Sequence, residues 1–439
     1  MQNDCTAVTA PCSHAKATRA RMCTLISVSL GGVTVVKSLW PRFEDDELVA
    51  VQRVLSSGRV NYWNGSEGRE FEREFAAFHD ASYGIAVANG TLALELALMA
   101  LGVGEGDEVV VTPRTFLASA SAIVMRGARP VFADVDRDSG NITPESVRAV
   151  LAPRTRAVIA VHLAGWSCDM HGLRSLADER GLFLIEDCAQ AHGATLEGQP
   201  VGSFGDAAAF SFCTDKIMST GGEGGMLLVR DEAVWQRAWS YKDHGKAWDA
   251  VYNREHKAGF RWLHESFGTN WRLTEMQSAI GRVQLRKLPG WLAQRSANAG
   301  VLLERLSGVR GLRVPVPPEG VGHAWYKFYA YVEPESLVDG WDRDAVVAAI
   351  QARGVPCLQG SCSEVYLEKA FDGTDYRPER RLPVARELGE TSVMFLVDHT
   401  LSEPDMHAVA DAVVDVMGRA TGVEGVAQAG VVSQDRSAG

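Results

Sequence analysis

Apolar positions recur along this chain in two registers, and the change from one to the other marks out its elements. In residues 44–56, Leu48, Val51, Val54 and Leu55 share one face at helical spacing. Residues 70–79 are predicted as a second helix, with Phe71, Phe75 and Phe78 as its core-packing stripe. From Tyr83 the pattern shifts to short continuous apolar runs at 85–87, 108–112, 130–133, 158–161, 182–185, 208–212 and 225–229, which read as strands. Helical stretches at 92–101, 118–126 and 173–180 fall between them. This order predicts α/β architecture, a largely parallel sheet with helices on both faces. Strands that are apolar throughout, rather than alternating, agree with burial on both sides.

After a long helical pattern over 274–306 the character changes. Pro315, Pro317 and Pro318 mark a linker-like stretch, followed by a strand at 326–332 and helices at 343–353 and 406–416. The expected division is a disordered N-terminal arm (1–38), a large domain (39–290), a smaller C-terminal α/β domain (291–420) and a disordered tail (421–439). The tail is rich in Gly, Ala, Val, Ser and Gln, too poor in large apolar side chains to build a core. No internal repeat is evident.

A chain of 439 residues exceeds what one compact core usually holds, which agrees with two domains. Its net charge of −11 argues against a nucleic-acid partner, which needs a basic face. An anionic small molecule stays open, because a local set of donors overrides a diffuse negative surface. Cys5, Cys12, Cys23, Cys168, Cys188, Cys213, Cys357 and Cys362 form no CxxC pair. They read as reduced thiols of a cytoplasmic protein, with neither a disulfide framework nor a metal site. Lys16, Arg19 and Arg21 precede an apolar stretch, 23–36, that loosely resembles a signal peptide but lacks a small-residue cleavage site. The expected reading is an arm, or an over-extended start with Met22 as the natural first residue. No stretch is long and apolar enough to cross a membrane.

Three runs carry candidate chemistry. In the first, a strand ends at Ser211, Lys216 follows five residues later, and Gly221, Gly222, Gly224 and Gly225 make a glycine-dense loop. Such glycines let the backbone turn tightly and approach a ligand. A lysine held in a partly desolvated pocket can be neutral and nucleophilic; a surface lysine beside a turn is the plainer alternative. In the second, Asp187 closes an apolar parallel strand, at the edge where open α/β sheets bind ligands. A buried carboxylate there needs a cationic partner, unless Asp187 merely caps the next helix. Glu186 points to the other face of the strand. In the third, Asn89, Gly90 and Thr91 lead from a strand into a helix whose N-terminus suits a phosphate.

Taken in order, these runs resemble the DegT/StrS-type aminotransferases, the nucleotide-sugar branch of fold-type I enzymes dependent on pyridoxal 5'-phosphate (PLP). The resemblance spans roughly residues 43–416 and includes Pro113 to Phe116, Asp134 to Asp136, Val161 to Gly165 and Phe267 to Glu275. It implies a fold-type I PLP-transferase, and it implies roles. Lys216 forms the Schiff base to the cofactor and shuttles the proton between substrate and cofactor carbons. Asp187 pairs with the pyridinium, Gln190 lies near the phenolic oxygen and Phe116 stacks on the ring. Gly90, Thr91 and Ser211 hold the phosphate. Asn270 reaches the cofactor phosphate of a partner subunit, so a homodimer is implied. His162, Glu223, His323 and Lys327 are candidates to face the substrate. Two departures stand out: Asp398, His399 and Thr400 replace the His-Pro-Thr of many relatives, and the arm has no family counterpart.

The function this implies is transfer of an amino group, from L-glutamate, to a keto group of a nucleotide-linked deoxysugar, in polysaccharide or antibiotic biosynthesis. One alternative keeps the fold and changes the acceptor to a cyclitol ketone or an aminoshikimate-type precursor. Another class is a non-catalytic PLP-binding regulatory protein, against which an intact Lys216, Asp187 and Asn270 argue.

Overall fold

The computed structural model describes residues 29–30, 33–255, 261–361 and 363–423. Its large domain is built on a seven-stranded sheet. The strands are β1 (Tyr83–Val87), β2 (Glu108–Val111), β3 (Arg129–Phe132), β4 (Thr155–Val161), β5 (Phe183–Asp187), β6 (Ala207–Ser211) and β7 (Gly225–Val229). They lie in the order β1-β7-β6-β5-β4-β2-β3. Only β7 runs antiparallel to its neighbours, β1 and β6; the others are mutually parallel.

The continuous apolar strands are buried on both faces. Odd-numbered residues such as Ile85, Ile159, Ile185, Ala209 and Leu227 pack with α3 (Gly90–Ala100), α4 (Ala118–Met125) and α6 (Glu232–Lys242). Even-numbered ones turn the other way. Phe210 and Leu228 meet Phe71 and Phe75 of α2 (Glu67–Phe78) and Leu285 and Leu288 of α7 (Glu275–Leu306), while Val158 and Leu184 meet α5 (Met170–Arg180). α1 (Asp45–Ser57) lies on α7 through Val54 and Val283.

A second, antiparallel sheet of four strands forms the smaller domain. It comprises β8 (Leu312–Arg313), β9 (Phe328–Val332), β10 (Cys357–Leu358) and β11 (Ser392–Phe395), in the order β8-β9-β11-β10. α8 (Arg343–Gln351) and α10 (Glu403–Ala420) cover it, with Ala299, Leu302 and Leu306 of α7. The expected boundary at residue 290 therefore falls inside one continuous helix that belongs to both cores. The segment from Val365 to Leu388 also crosses back. Val365, Tyr366 and Phe371 pack under the large sheet, as do Ala385 and Leu388 of α9 (Pro383–Thr391). α6, α9 and β11 are elements that the apolar pattern alone did not mark.

Most of the expected arm, residues 1–28, lies outside the described residues, as does the tail beyond 423. Val36, within the expected arm, is buried in the smaller domain's core and donates its N–H to the Gly354 carbonyl at 3.0 Å. Among the described residues no helix is long and apolar enough to cross a membrane.

Candidate active site

Parallel strands end on one edge of the large sheet, and three of the strand ends there carry the chemistry. β5 stops at Asp187, β6 stops beside it at Ser211, and β1 runs through Asn89 into α3. Asn89 is the N-cap: its side chain accepts the Leu92 N–H at 3.0 Å. Gly90 and Thr91 are thus first-turn residues, whose N–H groups have no partner within the helix. A Cβ on Gly90 would lie 2.6 Å from the Ser211 Cβ, and one on Gly225 would lie 2.3 Å from the Asn89 carbonyl oxygen. Only glycine lets the three chain segments close this tightly.

These ends line a cavity of 570 Å³ with Phe116, Gln190, Glu223 and Lys216. Asp187 is buried in its wall; Ser119 Oγ donates to Oδ2 at 2.8 Å and the Ala189 N–H to Oδ1 at 3.1 Å. Burial raises its carboxyl above the usual range, against the pull of Ser119, Ala189 and the Lys216 charge. A carboxylate in that position is held ready for a cationic partner. Gln190 uses Oε1 to accept the Ala164 N–H at 2.7 Å, which leaves its NH₂ as the donor for the cavity. Phe116 is 70% exposed, an aromatic ring presented at the cavity rather than packed in a core.

The Lys216 side chain is 15% exposed, with its Nζ 3.6 Å from Asp215 Oδ1. Its main chain is fixed at both ends: its N–H donates to the Cys213 carbonyl at 3.0 Å, and its carbonyl accepts the Trp40 indole N–H at 2.8 Å. Trp40 is itself held by residues 398–400 and their surroundings. Leu39 donates to Thr400 Oγ1 at 3.0 Å, and the His399 ring lies against Trp40 and stacks on Trp291.

The donor set fits PLP. There is a primary amine for its aldehyde, a buried carboxylate for its ring nitrogen, and helix N–H groups with a serine hydroxyl for its phosphate.

The other expected residues divide. Glu223 lines the cavity, 3.8 Å from the Cys213 sulfur. Asn270 is exposed and does not line the cavity of its own chain. His162, expected as a candidate to face the substrate, has a fully buried ring with both nitrogens engaged. Nδ1 accepts the Cys168 N–H at 3.1 Å, and Nε2 lies 3.1 Å from Glu186. Glu186 also accepts the N–H groups of Gly202, Phe204 and Gly205 at 2.7–2.8 Å. Burial alone would raise its carboxyl; His162 and these N–H groups outweigh that and hold it below the usual range. His323 also lies away from the cavity. Its ring stacks on Trp325, centroids 3.9 Å apart, and its Nδ1 accepts the Trp325 N–H at 2.8 Å. Lys327 lines a neighbouring cavity of 440 Å³, where burial lowers its pKa to about 8.

Sequence reasoning missed four residues of the site: Ser119, Asp215, Tyr326 and Trp40. A serine near the start of α4, and an acid directly before Lys216, were the available signals. Trp40 and Tyr326 come from distant segments and left none.

Comparison with known proteins gives a consistent picture. A sequence model of the DegT/DnrJ/EryC1/StrS aminotransferase family matches residues 41–414. The crystal structure of an aminotransferase from Psychrobacter cryohalolentis is 55% identical, with a TM-score of 0.86 over 87% of this chain and 99% of that one. The dTDP-3-amino-3,4,6-trideoxy-alpha-D-glucose transaminase of Streptomyces venezuelae is 35% identical over 86% of this chain and 94% of its own. A UDP-N-acetyl-3-dehydro-alpha-D-glucosamine 3-aminotransferase of Acidithiobacillus ferrooxidans is 34% identical over 84% and 93%.

Proposed function

The chain belongs to the DegT/DnrJ/EryC1/StrS aminotransferase family, and from that premise we propose that it transfers an amino group from L-glutamate to the keto group of a nucleotide-linked deoxysugar, using PLP. The observation that carries this reading is the meeting, in one cavity, of the Lys216 amine, the buried Asp187 carboxylate and the α3 N-terminus with Ser211. Similarity to two nucleotide-sugar aminotransferases over more than four-fifths of the chain supports the acceptor class.

When bound, PLP supplies an electron-withdrawing ring that takes up the electron pair left behind when a proton leaves the substrate carbon. The chain's own groups do the rest. Gly90, Thr91 and Ser211 bind the phosphate, and Phe116 packs on the ring face. Gln190 donates its amide toward the phenolic oxygen. Asp187, oriented by Ser119, holds a proton on the ring nitrogen and so keeps the ring electron-poor. Lys216 Nζ removes the proton from the donor's carbon and returns it one position away; in the second half-reaction it runs the same exchange backwards. Glu223, at the cavity wall, faces the acceptor sugar. Asn270 completes the phosphate site of the partner subunit in a homodimer. Cys168, Cys188, Cys213 and Cys357 are free thiols, which suits a cytoplasmic setting.

Two half-reactions test the reading. Added to PLP-loaded protein, ¹⁵N-glutamate should bleach the cofactor's visible band; a dTDP-4-keto-6-deoxyhexose should then restore it and emerge as a ¹⁵N-amino sugar by mass spectrometry. Bleaching without restoration by any nucleotide-linked keto sugar would move the acceptor to a cyclitol ketone or an aminoshikimate-type precursor. Bound cofactor that no amino donor bleaches would leave a non-catalytic binding protein.

A further inference from the structure

In the reaction proposed above, Lys216 cycles between amine and ammonium in every half-reaction. The proton it lifts from carbon stays on Nζ until it is returned to carbon, with no net gain. Each time the amine is released it returns to a pocket where the lysine side chain is 15% exposed. Asp187 is already committed to Ser119 and the Ala189 N–H.

A second carboxylate stands closer. Asp215 Oδ1 lies 3.6 Å from Lys216 Nζ, and the other oxygen, Oδ2, accepts the hydroxyl of Tyr326. Tyr326 is buried and fixed in turn, since its N–H donates to the Ala164 carbonyl at 2.9 Å. One oxygen is thereby tied down and its partner is aimed at the amine. The Lys216 amine also lies 5.2 Å from the Tyr326 ring centroid, so a single side chain touches both members of the pair. Asp215 and Tyr326 form the wall between the cofactor cavity and its neighbour. The charged groups facing Asp215 are Lys216 from its own loop and Lys327, Arg295, Asp398 and Lys37 from the neighbouring cavity; Asp187 and Glu223 line the cofactor side.

We propose that Asp215, oriented by Tyr326, is a positioning residue for Lys216: it stabilises the ammonium whenever the amine is released and so sets the pH at which Lys216 captures a carbonyl. The inference rests on the function proposed above. Burial would raise the Asp215 carboxyl, but the charge of Lys216 and the Tyr326 hydrogen bond outweigh it, so Asp215 stays ionised and does not take the lysine's proton. The Asp215 side chain is 57% exposed, so solvent and salt weaken the pair.

The test uses full-length, cofactor-free protein with PLP as the probe, following the rate at which the bound cofactor's visible band grows as pH is varied. Asp215→Asn removes the charge and keeps the shape. The midpoint of its capture profile should fall by about 1 pH unit, the lower end of what a neighbouring opposite charge produces. Asp215→Glu, which restores the charge, should bring the midpoint back toward the original, and high salt should narrow the gap between the original protein and Asp215→Asn. An Asp215→Asn profile that superimposes on the original, whatever its amplitude, overturns this inference and leaves the proposed function standing. Absence of PLP capture by the unaltered protein at any pH overturns both.

Discussion

Side chains of consecutive residues leave a strand on opposite faces, so Glu186 and Asp187 meet different surroundings although both end β5 as acids. Glu186 turns toward α5 and is saturated by three N–H groups and His162. Asp187 turns toward α3 and α4 and, among the described residues, accepts the Ser119 hydroxyl and one N–H. Period-two alternation made this distinction legible in the sequence. The role of His162 was not legible, because its partner lies 24 residues away on the adjacent strand, and nothing local separates a structural histidine from a ligand. Ser119→Ala removes the one side-chain donor that orients Asp187. A hydrogen bond to a charged group contributes about 1.5–3 kcal/mol, so kcat should fall by about ten- to a hundredfold while the KM for the keto acceptor changes little. Steady-state kinetics would measure this, and an unchanged kcat would remove Ser119 from the account.

Elements were legible where their buried stripe is apolar and long. α1, α2 and the central strands appear within a few residues of where the pattern put them, and so does the 32-residue α7. α6 escaped because its buried face ends in a lysine. Val234, Ala238 and Trp239 are followed by Lys242, which is fully buried and lies 3.2 Å from Glu72 Oε1 of α2. α9 escaped because nine residues with few buried positions give too little period to detect. The Lys242 pair locks three elements together: Glu72 also accepts the Ala86 N–H of β1 at 2.9 Å and the Tyr62 hydroxyl at 3.0 Å. Lys242→Met leaves a buried carboxylate without its cation. It should destabilise the protein by about 3–5 kcal/mol, read as a lower urea midpoint; a loss under about 1 kcal/mol would show that the N–H and hydroxyl donors suffice.

For the whole molecule, an arrangement of two domains was readable, but not how they share the chain. α7 serves both cores, and Val365 to Leu388 returns to the large sheet, since packing partners far apart in sequence leave no local mark. The exposed rings of Trp262 and Phe267 are unusual for a finished surface and agree with the proposed homodimer. Stability should also respond to pH as a whole. His79 and His192 are fully buried, and burial, the leading cause, lowers their pKa from 6.5 to about 4 and about 3. The unfolded chain therefore binds more protons below 6.5. Their contribution is complete above that pH and is lost as pH falls toward the folded values, by about 1.4 kcal/mol per unit for each group. Urea unfolding between about pH 7 and about pH 5 should show this slope, and His192→Leu should reduce it; an unchanged slope in the variant would assign the acid sensitivity elsewhere. Everything proposed for the site depends on Lys216 being the residue that carries the cofactor. Borohydride reduction of the PLP-loaded protein, followed by peptide mass mapping, tests it most directly. One modified peptide is expected, bearing the cofactor on Lys216. Modification of a different lysine, or of none, would contradict it.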